Sequence, residues 1–594
     1  MTDHSARTDW SPGRHAAPRR RGDGGSPPTR RWPRRAVVAG LAGAGTAAVA
    51  GAAIRLRPTG EVAGAPTARR AERPVDGAGF ADRDESFARS SGTRMSAVSV
   101  EPTLEHPTPS AAAAATEVTA PTLLDPADPV LHLLRRTTYG PTPELAAEVR
   151  AVGIDAWLEA QLDPLSLPDP AGDLVAGAFP LAWADPATVR RSIERTTWEA
   201  MSQCSVATMA RQMWSSRQLY EVMVELWADH LHVPTPGGVS WDTAPDYQAT
   251  VIRAHALGRF ADMLVASARH PAMLRWLNGA ESRKEAVNEN YGRELLELHT
   301  VGVASGYTEE DVRDSARILT GRTVVGDDGP GEPGTFRYDP AMHWVGPVRV
   351  LGFEHDNATP EGGLEVGDAY LRHLAGHEAT ARRIARKVAV RFVSDDPPAS
   401  LVDRLAATYL DNDTAITPVL WTLFRSSEFW AAVGQKVRRP RENIAAAVRA
   451  LGIVPERDVS ATLRRLSDAT HRSGHQAMRW PAPDGYPDVH AAWRSVGVTV
   501  ELWNVHRALV GGWDEGLTTP DPLRLVEGEP AGTVGELVDA LCRRLCFQTF
   551  RPDHRDALVA VLGGDPDAPA PTSRTADLLE VTALVLDSPY FALR

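Results

Sequence analysis

Cysteine is nearly absent from this chain: Cys204, Cys542 and Cys546 are the three in 594 residues. That excludes a disulfide framework and a four-thiolate zinc site. Cys542 and Cys546 stand four apart in Leu541-Cys542-Arg543-Arg544-Leu545-Cys546. A helix would make them neighbours on one face, in a geometry poor for a disulfide, so buried thiols are expected. The Gly-x-Ser-x-Gly elbow, the Walker loop, His-Glu-x-x-His and the dinucleotide fingerprint are missing as well, so no familiar catalytic signature names a reaction. No internal repeat stands out, which argues against a solenoid. Positive charge is concentrated at the start. Residues 1–57 hold eleven Arg against three Asp, within a chain of net charge −12, so the remainder is more acidic than the whole. Such a body lacks the basic footprint of a nucleic-acid binder; it suits a solvated acidic surface or a protein that handles cations.

Strongly hydrophobic runs are also lacking. The mild run Ala36–Ile54 is almost all Ala, Gly and Val with one Leu, much less apolar than a typical spanning helix. The paired Arg34 and Arg35 stand directly before it, at the end of an Arg-rich lead. A paired arginine ahead of a weakly apolar segment resembles a twin-arginine export signal. Residues 1–57 are therefore expected to be an export signal or an N-terminal anchor, with Ala48-Val49-Ala50 as a small-x-small cleavage candidate. The expected location is extracytoplasmic, secreted or anchored by residues 36–54, with membrane contact only through that segment. Twin-arginine export carries folded proteins, often after a cofactor has been inserted. Residues 58–124, rich in Ala, Pro, Thr and Ser, have the composition of a disordered linker.

Order is expected to begin near Asp125, and the signals from there are mostly helical. Helices are expected at 187–231, 246–269, 283–300, 309–320, 367–393, 400–411, 415–433, 438–451, 458–469, 488–511, 533–547, 552–562 and 574–588. One region reads differently. Arg322-Thr323-Val324-Val325 and Thr335-Phe336-Arg337-Tyr338 flank a Gly/Asp/Pro-rich turn, and Val348–Phe353 could pair with them. The expected fold class is mainly α: one large α-helical domain over 125–594, with a small antiparallel β insert near residues 322–353.

The densest polar segment runs Asn288-Glu289-Asn290-Tyr291-Gly292-Arg293-Glu294-Leu295-Leu296-Glu297-Leu298-His299-Thr300-Val301-Gly302. On a helix at 100° per residue, Val287, Tyr291, Leu295 and Leu298 form an apolar face, with Asn290, Glu294 and Glu297 along its edge. Carboxylates at such an edge can bind a cation or hold a raised pKa. Two acids at i, i+3 can share a metal, as in carboxylate bundles. The offsets of His299 from Glu294 and Glu297 point it elsewhere. The structural alternative is an Arg293–glutamate network locking adjacent helices together.

Thr308-Glu309-Glu310-Asp311 has the form of a helix start, with Thr308 as cap; Asp311 could still reach the cluster if the Gly302–Tyr307 turn folds its helix back. His230 and His232 form a His-x-His pair that could chelate only if the helix ends near His230, as Pro234 suggests. His343, His355 and Asp356 are loop candidates. Trp480-Pro481-Ala482-Pro483-Asp484-Gly485-Tyr486-Pro487, followed by Trp493, could line a sugar-binding groove or pack against the helical body.

From about Leu131 onward the chain resembles a bacterial family known as domain of unknown function 1800. The resemblance rests on Leu133–Pro143, Leu226–Leu231, His270–Leu274, the segment 288–302, Gly306–Val312, Leu319–Gly321, Phe336–His343, His377–Ala381, Phe392–Pro398 and Lys436–Pro440. In Leu226-Trp227-Ala228-Asp229-His230-Leu231, Ala228 and Asp229 replace the first His and the Asn of the family's Trp-His-Asn-His-Phe phrase, and His230 is retained. The resemblance implies a partner, a second exported protein encoded nearby, but no reaction.

Two readings follow. In one the protein is an extracytoplasmic enzyme, hydrolytic in kind. Glu294, Glu297 and His230 then serve as catalytic groups, and Glu294, Glu297, His230 and Asp311 as ligands of a divalent metal. In the other it is a non-catalytic binding or assembly partner, and the same residues are a structural network.

Overall fold

The computed structural model describes residues 123–594 except 126–127, 196, 456–459 and 513–516. Arg34, Arg35, the 36–54 run and the linker up to residue 122 lie outside the described residues. Order is evident at Leu124, which is 2% exposed, and the first helix spans Pro129–Thr137. Its start is built from the sequence: Asp128 accepts hydrogen bonds from the backbone N–H groups of Val130 and Leu131, and Pro129 occupies a position where no N–H is needed.

The architecture is mainly α with small β elements. One continuous hydrophobic core runs from Leu133 and Leu134 through Trp227, Leu295, Val388 and Ile444 to Leu578 and Phe591. Among the described residues, no helix is long and apolar enough to cross a membrane.

Several expected helices are divided by caps. The 187–231 span is three helices, Pro186–Ser192, Glu199–Trp214 and Gln218–His230. Ser215 breaks it by turning its side chain to Asp169 and the Arg217 N–H instead of continuing the ladder. The 367–393 span is Gly363–Ala375 followed by Glu378–Phe392, where the His377 ring accepts from the Ala379 N–H as the second cap. The α-helix within 488–511 begins only at Val496, capped by Ser495. In 246–269, residues Gln248–Arg253 form a wide π turn before the chain breaks and restarts at Phe260.

The β insert is two separate hairpins. Arg322–Val324 pairs antiparallel with Phe336–Tyr338, Thr323 opposite Arg337. Val348–Val350 does not join that pair, as the sequence suggested, but turns at Leu351-Gly352 onto Phe353–His355. Gly352 takes a positive φ of 84°, which permits the tight turn. A third pair, Val454–Pro455 with Leu517–Thr518, had no clear sequence signal.

Candidate functional site

The polar segment at 288–302 is not one regular helix. An α-helix runs Glu289–Glu294, capped by Asn288, and opens into a π-helix at Leu295–His299. The wider turn changes which side chains face inward. Tyr291, Leu295, Leu296 and His299 are buried, whereas Leu298 is half-exposed. The 100° wheel therefore misplaced Leu298 and His299, because a π turn advances each residue by a smaller angle. The segment is pinned at both ends. A Cβ on Gly292 would lie 2.8 Å from the Ala316 backbone nitrogen, so only glycine lets it lie against the Glu309–Leu319 helix. At the other end Arg383 donates to the Leu298 carbonyl at 3.2 and 3.0 Å.

Glu294 and Glu297 both sit at a half-buried edge, as expected. Glu297 accepts from the Tyr307 hydroxyl at 2.6 Å. Burial raises Glu294 above the ordinary carboxyl range, with Glu297 and Asp484 adding repulsion and Arg293 opposing. Arg293 grips Glu309 at 3.0 and 2.7 Å and approaches Glu289 and Glu297 at 3.6 and 3.7 Å. This is the helix-locking network, but it lies near the surface: the side chains of Arg293 and Glu309 are 33% and 67% exposed.

Asp311 is engaged on both oxygens. One accepts from the Thr308 N–H and hydroxyl at 2.7 Å each, completing a capping box, and the other accepts from the Leu351 N–H at 3.2 Å. It thus ties a helix start to the second hairpin. The helix does end at His230, yet the two histidines do not converge. His230 Nε2 donates to the His299 carbonyl at 3.0 Å, while His232 meets the Trp480 carbonyl at 2.7 Å and that of Ala228 at 3.2 Å. Burial, with Lys387 and Arg383 nearby, holds the His230 ring far down and therefore neutral. Burial likewise lowers His299 to about 3. Among the described residues, no group of three or more His, Cys, Asp or Glu side chains is placed to hold a metal ion. The structure brings Glu294 and Glu297 onto one edge, turns the His230 nitrogen toward backbone, and commits Asp311 to a cap.

The remaining candidates have structural surroundings. His343 is buried between the Thr320 carbonyl and the Asn357 side chain, each at 2.9 Å, and joins the hairpins. The exposed His355 accepts from the Asn357 N–H at 2.8 Å, and Asp356 is exposed. All three cysteines are free and buried, with burial pushing the Cys204 and Cys546 thiols up to about 12. The aromatic loop packs inward: Tyr486 is buried against His475, with ring centres 4.7 Å apart. Trp480 and Trp493 keep partial exposure. Gly485, at φ 69°, rests on the Asp229 carbonyl, where a Cβ would come within 1.9 Å.

Sequence reasoning missed the largest polar assembly. The Gln218–His230 helix carries Glu221, Glu225 and Asp229 four apart, and the Glu378–Phe392 helix carries Arg383, Lys387 and Arg391 four apart. These are two complementary charged stripes, legible in principle from their i, i+4 spacing. Glu225 is at the centre. It accepts from Tyr139 at 2.6 Å, Arg439 at 3.0 Å, Arg391 at 3.3 Å and Arg441. Glu442 binds Arg439 at 2.9 Å, Arg594 at 3.5 Å and Arg391. Asp488 binds Lys436 at 3.1 Å and Arg391 at 3.4 Å. Burial would raise Glu225, but Arg439, Arg441 and Arg391 outweigh it and hold the carboxyl below its ordinary range. Glu442 is held much lower still: burial is outweighed by Arg391, Arg594 and Arg439.

Lys387 stands between this core and the polar segment. It has no hydrogen-bond or ion-pair partner among the described residues and is half-buried. Burial pushes its ammonium down to about 8; Asp229, Asp488 and Asp484 pull it upward, and Arg383 opposes them. Asp484, held by the Trp480 indole at 2.7 Å, also acts on Glu294. Asp484 thus acts on both Lys387 and Glu294, and Asp229 on Lys387, four residues drawn from four elements.

No curated protein and no solved structure matches this chain. A family model described as a protein of unknown function (DUF1800) matches residues 132–593, the whole helical body that holds the charged core, Lys387 and the polar segment. The chain belongs to that family.

Proposed function

We propose that the protein is an exported enzyme working by acid–base chemistry, hydrolytic in kind, where the 289–299 segment, the Glu378–Phe392 helix and the 480–487 loop meet. Lys387 is the proton-accepting group and Glu294 its carboxyl partner. The observation that carries this reading is a lysine without a partner in a body where neighbouring buried cations are paired or bonded to carbonyls. Its proton affinity lies near the working range of a general base, and Glu294, which like Lys387 feels the Asp484 charge, is itself raised above the ordinary carboxyl range. The Arg34-Arg35 lead supports export. A divalent ion held by Glu294 and Glu297 would lower Glu294 rather than raise it, so a pH titration of Glu294 with and without added metal separates the two uses.

The test is a panel of ester, amide and glycoside substrates offered to wild-type protein, Lys387→Met and Glu294→Gln. Turnover should rise as pH passes about 8. Each substitution should lower it by roughly 10²–10⁴-fold with cooperative unfolding retained. Turnover untouched by both substitutions would remove the site. The non-catalytic reading has one feature in its favour: Val496 and Val500 are exposed at 82% and 44%, one turn apart, as a partner surface would need.

A further inference from the structure

Three buried arginines lie apart from the carboxylate core. Arg135, Arg136 and Arg438 are 4%, 0% and 8% exposed, and none has a carboxylate within ion-pair distance among the described residues. Each is anchored to backbone carbonyls instead. Arg136 is spent in this way, on Val393 at 2.9 Å and on Ala432. Arg135 and Arg438 differ, because both line one small cavity with Gly140, Ala446, Leu545 and Phe591. The cavity measures about 270 Å³ with its open mouth included.

Within it, Arg135 donates through Nη2 to the Cys546 carbonyl at 3.0 Å, and Arg438 through Nη1 to Leu593 at 3.0 Å and to Phe591. Arg135 Nε and Nη1 and Arg438 Nε and Nη2 make no hydrogen bond among the described residues, and they are not among the sealed buried atoms. Burial pushes Arg438 down to about 9, with Arg135 repelling it. Cys546 brings no charge, since its thiol is pushed up to about 12. Asp125 and Asp128 act on Arg135 only from outside ion-pair distance, and Glu442 on Arg438 likewise. Two guanidiniums therefore line one cavity with donors to spare and no carboxylate within ion-pair distance among the described residues, an arrangement that an entering anion would stabilise.

We propose that this cavity is a binding site for a small inorganic anion of halide size, held between the Arg135 and Arg438 guanidiniums. The enclosed part of the cavity has room for little more than one water-sized body, and that, with the apolar remainder of the wall, favours a chloride-like ion over a strongly hydrated oxyanion. Occupancy links the first helix to the Pro440–Ala450 and Val534–Cys546 helices, so the ion acts as a structural ligand that binds the folded chain and not the unfolded one.

The test uses the full chain. Thermal unfolding is followed while sodium chloride or bromide replaces sodium gluconate at constant ionic strength. The expected result is a saturable rise in Tm with halide, equivalent to about an elevenfold gain in the folded-to-unfolded ratio at ten times Kd. Arg438→Gln should abolish the halide dependence. Should that variant fail to fold, a bromide soak of wild-type crystals decides: an anomalous peak is expected between the two guanidiniums. Identical unfolding in halide and gluconate, or no bromide between the arginines, would overturn the proposal. Saturation by inorganic phosphate where halide has no effect would overturn the halide assignment too.

Discussion

Arg293 and Arg439 each bind two or more acids, yet they belong to different physical regimes. The Arg293 network spans a half-exposed edge, with Glu309 67% and Glu289 42% exposed. The Arg439 network is sealed: Arg439, Glu225 and Glu442 are 3%, 1% and 3% exposed. Water screens the first and leaves it worth little. In the second, each charge has already lost its hydration, so removing one partner strands the other in a medium that cannot solvate it. The denser network is therefore the architectural one. Chemistry is better sought at Lys387, between the two, where a charge is held without being paired.

The largest expected effect comes from breaking the sealed network. Glu442→Gln should cost about 3–5 kcal/mol, read as a lowered denaturant midpoint with unchanged slope. The same carboxylates set the acid limb of stability. Glu225 and Glu442 are held below their ordinary values in the folded state, so their contribution is full above the unfolded value near 4.5 and is lost as pH falls through the depressed folded value. Glu442→Gln should flatten that limb, and an unchanged limb would assign it to other groups.

Lys387→Met should act in the opposite direction. The folded lysine titrates near 8 instead of 10.5, so its charge opposes folding below about pH 8. That opposition is relieved between 8 and 10.5, where the unfolded chain alone holds the proton. Discounted for partial exposure, the substitution should stabilise by ~1 kcal/mol at pH 7, and the gain should shrink toward pH 10. A gain that grows with pH would contradict the assignment. Asp311→Ala removes a cap and the tie to Leu351 and should cost ~1 kcal/mol, with no change in metal content. Arg293→Ala should shift stability by no more than ~0.5 kcal/mol, and that effect should fade in high salt. A loss of several kcal/mol there would erase the contrast between the two networks.

The sequence carried the helical class and most helix positions, because caps such as Thr308 and Thr533 are local signals, whereas the cap at Ser495 and the turn at Leu351-Gly352 were overrun by a helical and a strand-like stretch read as continuous. It did not carry the π turn at Leu295–His299, since the apolar spacing there satisfies two helical periods. The edge positions of Glu294 and Glu297 survived that error because both lie beside the inward face in either geometry. His230 and Asp311 could be recognised as polar residues in telling places, but what their atoms touch depends on the His299 carbonyl and the Leu351 N–H, neither of which is a sequence neighbour. The charged core was hidden for the same reason. Glu225, Arg391 and Glu442 lie on three helices far apart in the chain, and surface-like residue types gave no sign of burial.

The central claim is that Lys387 is reachable and gives up its proton near neutrality. The chain holds only two other lysines, Lys284 and Lys436, so each can be followed separately. The direct measurement is the rate of amine acylation at each lysine, read by peptide mass spectrometry across pH 6–11, with exposed Lys284 as the internal reference. The account predicts that labelling of Lys387 rises half-way near pH 8 and that Asp229→Asn moves this midpoint lower by removing the strongest upward pull. A midpoint near 10.5 would contradict it, as would a Lys387 that stays unlabelled until the protein unfolds.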